Sequence, residues 1–156
     1  MKKFYLFLIV SIMFFGAVSC SKSDDTVIFK QEDIIGHWSH VSSKIYDPNR
    51  KYLGEGPAED KYGCGTAFWI IDKNEMTAGQ YTGRDNKGKC IEEKETSKYS
   101  FSGNRLSSVD SKGNAEYFDV LQATSSSFVF ISKLPEPLYI NGLVVQYVEI
   151  HFKKMK

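Results

Sequence analysis

Ile34-Ile35-Gly36-His37-Trp38 is the stretch on which the fold turns. An apolar pair is followed by Gly-x-Trp, and then by a run that reads as an extended strand to about Tyr46. Gly36 can take backbone shapes closed to other residues, so it lets the chain turn into that strand. Alternation along the strand is imperfect. Val41 and Ile45 fall on one face, Trp38 and Tyr46 on the other. A bulge reconciles the two phases, at a position the sequence does not specify.

Downstream of Tyr46 the residues from Asp47 to Gly63 read as one long connection. Asn49, Gly54, Gly56, Pro57 and a charged run argue against regular structure there. Seven more strands are then predicted: Cys64 to Asp72, Met76 to Thr82, Cys90 to Ser102, Arg105 to Val109, Ala115 to Ala123, Phe128 to Lys133 and Leu143 to Lys153. The first of these is apolar on both sides and should be covered on both faces. The strand from Cys90 starts with Glu92, Glu93, Lys94 and Glu95, so its first half should project into water. Leu134-Pro135-Glu136-Pro137 reads as a break in the sheet, and Asn141-Gly142 as a two-residue hairpin turn. The last strand alternates most cleanly, with Val144, Val148, Ile150 and Phe152 opposite Tyr147, Glu149, His151 and Lys153.

Upstream, Phe29 to Asp33 reads as a single helical turn closing one end of the domain. Residues 21–32 read as a polar tether, and residues 33–156 as the domain. Met1-Lys2-Lys3 is a basic start, Phe4 to Phe15 is apolar except Ser11, and small residues lead to Cys20. That apolar run is too short to span a bilayer stably and has the layout of a secretory signal over residues 1–20. The small residues before Cys20 resemble the lipobox of bacterial lipoproteins, with Ala17 in the usual Leu position. The resemblance implies cleavage before Cys20 and acylation of its thiol, a stable lipid anchor to the outer membrane of a cell envelope. Asp24-Asp25 resembles the surface-export signal of Bacteroides-type lipoproteins.

Charged residues make up 25% and aromatic residues 14% of the chain, a globular composition. Without residues 1–20, 18 basic residues face 19 acidic ones. No basic excess is left for a phosphate backbone, so a nucleic-acid partner is not expected. Some eight strands with short turns and no long helix pattern predict an all-β, eight-stranded antiparallel up-and-down barrel, which has no open edges.

Gly36-x-Trp38, a long first connection and eight strands in series resemble a lipocalin, and in particular the lipocalin-like lipoproteins of Bacteroides-type bacteria. The same resemblance rests on Thr96 to Asn104, Tyr117 to Leu121 and Ile150 to Lys153, and covers roughly residues 33–154. It implies that Gly36 and Trp38 sit at the closed barrel end, with the indole under Lys153 or Lys154. Lys153 is the expected structural partner.

Candidate chemistry is sparse. Cys64 and Cys90 remain once Cys20 is acylated. The envelope permits a disulfide that would tie the base of the long connection, and two free thiols are the alternative. The three histidines, His37, His40 and His151, form no ligand cluster, since residues three apart on a strand point to opposite faces. No metal, cofactor, catalytic residue or enzymatic activity is expected. Tyr99, Phe101, Phe118, Phe128 and Phe130 are the inward aromatics that would line a pocket for a small apolar or amphipathic ligand, with residues 47–63 as a mobile lid. The alternative is a filled core in an accessory lipoprotein of an envelope assembly, with a protein partner at an exposed apolar patch near Tyr139.

Overall fold

The computed structural model describes residues 27–109 and 113–156. Residues 1–26, and with them the leader, Cys20 and the acidic pair, lie outside the described residues. Among the described residues one short helix, α1 (Gln31–Ile34), precedes nine strands: β1 (Gly36–Tyr46), β2 (Tyr52–Pro57), β3 (Phe68–Ile71), β4 (Glu75–Arg84), β5 (Cys90–Ser102), β6 (Arg105–Val109), β7 (Ala115–Ala123), β8 (Ser127–Ile140) and β9 (Leu143–Lys154). The strands β3 to β9 pair antiparallel in chain order, β3 pairs with β1, and β9 returns to β1. The result is the expected closed eight-stranded barrel, with β2 as an extra strand. These described residues close a barrel over their own core.

The bulge in β1 falls between His40 and Ser42, where the register against β9 shifts. Val41 is the residue left over, and it is exposed. The shift keeps Trp38 and His40 on the inner face, and Ser43 and Ile45 after it, opposite Phe152, Ile150 and Val148. The other edge of β1 changes partner at the same point. Gly36 to Ser39 pair with β3, and Ser42 to Tyr46 pair with β2. Between the two, the His40 amide donates to the Ala67 carbonyl and the Ala58 amide to the Val41 carbonyl, which bridges the change of partner on this edge.

The strand β2 corrects the reading of residues 47–63 as irregular. Asp47 Oδ1 accepts the amides of Asn49 and Lys51 at 2.8 Å each, and Arg50 takes a left-handed φ of 61°, which folds the chain back on itself. Gly54 and Gly56 are tolerated because β2 lies on the outer edge, where a side chain would meet nothing. A second correction concerns residues 134–137. The chain stays extended through the two prolines, which fall in the register shift between Lys133 and Leu138. Proline needs no ladder partner there. The Asn141-Gly142 turn forms as expected, with positive φ at both residues.

Other expectations hold in outline. The strand β3 is shorter than predicted but is buried on both faces, through Phe68 and Ile71. The first part of β5 pairs with β4 alone, joins β6 only from Tyr99, and is exposed from Ile91 to Thr96. The helical turn packs at the closed end. The Phe29 amide donates to Asn104 Oδ1 at 2.7 Å, and Gln31 Nε2 donates to the Lys73 carbonyl at 2.6 Å. The end of the expected tether is therefore fastened to the turns that close the barrel. The buried core runs from Ile34, Trp38, Ile71 and Met76 through Leu106, Val120, Phe128 and Phe152 to Phe118 and Phe130.

Candidate ligand-binding cavity

The closed end is built on the opening motif. Trp38 is fully buried, and its Nε1 donates to the Ile34 carbonyl at 2.8 Å, which satisfies the one polar atom of the indole. Lys154 Nζ lies 5.2 Å from the ring centroid, a cation over the indole face. Gly36, at φ +152°, makes room for it: a Cβ there would stand 2.8 Å from Lys154 Cε. Lys154 thus replaces Lys153 as the partner. It pairs directly with Trp38 in the β1–β9 register and shares its face, whereas Lys153 pairs with Ser39 on the opposite face.

Above this plug lies a layer of aromatic rings. Trp69 stacks on Phe130 at 4.6 Å with a 20° interplanar angle, and Phe118 meets both edge-on at 5.1 and 5.0 Å. Phe152 closes the layer at 5.4 Å from Trp69. Beyond the layer the barrel is hollow. A cavity of about 740 Å³ opens there, lined by Trp69, Phe118 and Phe130 and by Val148, Ile150 and Ser132 on its walls. Its size falls within the span usual for small-molecule sites. Filled core and cavity, alternatives at the level of sequence, occupy different heights of one barrel.

Of the five aromatics singled out in the sequence, the structure brings Phe118 and Phe130 to the cavity. Phe128 has no exposed surface and packs on Trp38 in the plug at 5.5 Å. The Tyr99 hydroxyl donates to the Asp72 carbonyl at 2.6 Å and accepts from Gln31 at 3.0 Å, so it serves the closed end. Phe101 pairs with Leu106 and packs against the plug. Trp69 was missed as a lining residue because β3 is apolar on both faces and offers no phase. Val148 and Ile150 carried a signal, since the alternation of the last strand had placed them on the inner face.

One polar pair faces inward below the cavity walls. The His40 Nε2 lies 2.8 Å from Ser43 Oγ, and the ring is 5.8 Å from Phe152. Burial lowers the His40 pKa, the charge of His151 adds to this, and a backbone bond at Ser42 opposes it. The imidazole is neutral at pH 7. His37 lies on the other face and is exposed. Among the described residues no three His, Cys, Asp or Glu side chains are grouped to hold a metal ion.

At the rim, Cys64 and Cys90 form a disulfide with Cα atoms 5.9 Å apart. Beside it the Arg84 guanidinium donates to the carbonyls of Tyr62, Gly63 and Gly88 at 2.8, 2.6 and 2.7 Å. Residues 47–63 are thus built into the wall, through β2 at one end and this clamp at the other, and do not form a free lid. On the outer face Glu149 is nearly buried. It accepts from Tyr46 Oη at 2.6 Å and lies 2.6 Å from His151 Nε2 and 3.3 Å from Lys44 Nζ. Burial pushes its pKa up, but these three partners outweigh burial and hold it below the usual carboxylate value.

A closed antiparallel barrel, plugged at one end by a tryptophan beneath a lysine and hollow at the other, defines a class of cup-shaped β-barrels. Within that class the chain belongs to the lipocalin-like domain family, whose model matches residues 34–130, more than half of its length. It is similar to the crystal structure of a lipocalin-like protein from Bacteroides uniformis, with 14% identity and a TM-score of 0.44 over 79% of this chain and 99% of that one. It is also similar to an uncharacterized protein from Bacteroides eggerthii, with 11% identity and a TM-score of 0.45 over 78% of this chain and 98% of that one. No curated protein matches the chain.

Proposed function

We propose that this protein is a lipoprotein of the cell envelope, anchored to the outer membrane through Cys20, whose barrel binds a small apolar or amphipathic ligand. The observation that carries the binding reading is the hollow upper half floored by Trp69, Phe118 and Phe130. Each 100 Å² of apolar ligand surface buried there would contribute about 2.5 kcal/mol before ordering costs. Rigid aromatic walls lower those costs. The anchor reading rests on the leader and its small residues before Cys20.

Native mass spectrometry of the protein purified from its own host, with Trp fluorescence before and after delipidation, tests the binding reading. A bound small molecule is expected, and Val148→Trp, which narrows the cavity, should weaken its retention. A host-purified protein that is always empty and never takes up an apolar probe would end the reading. Mass analysis of the mature N-terminus tests the anchor, with an acylated Cys20 expected and an unmodified or uncleaved terminus against it.

A second reading, an accessory subunit of an envelope assembly, is favoured by one observation. The tip of the β8–β9 hairpin exposes Leu138, Tyr139, Ile140 and Leu143, with Tyr139 78% exposed. Photocrosslinking from position 139 in cells would trap a specific neighbour if this tip docks on a protein, and would give no adduct otherwise.

A further inference from the structure

The cavity does not stop at the barrel wall. The β7–β8 ladder ends at the pair Phe118–Ser132. Past that pair, in the strand register of the described residues, Ala115 to Tyr117 of β7 pair with β6, and Lys133 of β8 pairs with β9. The bond from Ser132 Oγ to the Tyr117 carbonyl, 3.1 Å, is the final tie before the strands part. Pro135 and Pro137 follow on β8 and have no N–H with which to extend the ladder. The wall is split here, and both lips line the cavity, Tyr117 on one and Lys133 and Pro135 on the other.

Outside the split lies a shallow groove of about 230 Å³. It shares Tyr117 and Lys133 with the cavity and adds Arg50, Arg105 and Tyr147. Its single acid, Asp119, is already bound by Arg105 at 2.6 Å. Arg50 and Lys133 have no carboxylate partner among the described residues. The β1–β2 turn carries the Arg50 guanidinium to 4.9 Å from the centroid of the Tyr147 ring. The cavity is apolar at its floor, and its β7 lip also carries Asn114 and Glu116. Basic side chains outnumber the acid in the groove outside, so an apolar floor and a net cationic exterior meet at one opening.

We propose that the ligand is a single-chain amphiphile with an anionic head. Its chain lies in the cavity against Trp69 and Phe130, and its head leaves through the β7–β8 split into the groove of Arg50, Arg105 and Lys133. The assignment rests on the ligand-binding reading above and names its ligand class. An ionised head inside the apolar cavity would lose its hydration. In the groove it keeps water and gains charge-assisted hydrogen bonds from guanidinium and ammonium donors.

The test uses residues 21–156, which include the complete barrel, and follows Trp fluorescence on titration with four probes kept below micelle formation: dodecanoate, dodecyl phosphate, dodecan-1-ol and dodecylamine. Both anions should bind about tenfold tighter than the alcohol, with the amine weakest, and added salt should narrow the gap. The better of the two anions tells whether a carboxylate or a phosphate head is preferred. The double variant Arg50→Asn/Lys133→Gln should lose the preference for anions, bringing both anions to the affinity of the alcohol measured on the same variant. Both side chains are exposed, and Asn accepts the left-handed backbone at position 50, so the fold is spared. Equal binding of anions and alcohol, or a double variant that keeps the anion preference, overturns the head-group assignment alone. If none of the four probes binds, the assignment falls together with the ligand-binding reading.

Discussion

Removing the Cys64–Cys90 disulfide should destabilise the barrel strongly without dismantling its rim. The bridge joins residues 26 apart in sequence. A cross-link of that span is worth about 3.5 kcal/mol in the chain-entropy model, through the freedom it denies the unfolded chain. The folded side of the balance changes little, because Arg84 still holds three carbonyls of the same segments and Ala58 still bonds Val41. For a domain of roughly 130 residues the unfolding entropy near the midpoint is about 0.27 kcal/mol/K, so Cys64→Ala/Cys90→Ala should melt about 13 °C below the parent. Circular dichroism melts of the variant, and of the parent under reducing agent, should coincide. Arg84→Met in the variant background should then lower the midpoint further, since that clamp now acts alone. A variant within about 4 °C of the parent would refute the reasoning, and would mean that the unfolded chain gains little freedom when the bridge is opened.

The Glu149 carboxyl is held below its ordinary value of 4.5, so its contribution to stability is full above that value and is lost as pH falls through the folded one. Tyr46→Phe should cost about 1–2 kcal/mol near neutral pH and flatten the acid limb of stability, read by denaturant titration at several pH values. The Tyr46 phenol is pushed up to about 12, first by burial and then by Glu149, so ultraviolet titration should find a tyrosine that ionises only near that pH. His40 has a lowered pKa and therefore stabilises the fold above 6.5 and costs stability as it protonates; its imidazole resonances should titrate below that value, and an ordinary midpoint would contradict its inward placement. A methyl added at Gly79 would overlap the Phe68 ring, so Gly79→Ala should cost about 1–3 kcal/mol, and Phe68→Leu should recover part of that loss in a double-mutant cycle.

Several local features were legible because their causes are local. Asn141-Gly142 makes its turn because both residues accept positive φ, whatever surrounds them. Gly36 and Trp38 mark the closed end because one makes room for a lysine stem and the other fills the barrel base. The alternation of the last strand placed Val148 and Ile150 inward before any partner was known. Two segments misled for the same kind of reason. Residues 52–57 and 134–137 have the composition of loops, yet both are extended, because an edge strand and a register shift demand little of their side chains.

The sequence by itself determined eight of the nine strands, the barrel class and which face of the clearest strand turns inward. These follow from the period of two along a strand and from turn chemistry. Only the tertiary structure decided how high each inward side chain stands along the barrel axis. That height separates Phe128, sealed against Trp38, from Phe130, which is just as buried but stands at the cavity floor two residues later. It also decided that β7 and β8 part above Ser132, and that Lys154 reaches Trp38 where Lys153 does not. Height and pairing depend on the offset between strands, and that offset changes at the shifts around Val41, Tyr81 and Val120. A period of two says which way a side chain points, and it is silent on what stands beside it.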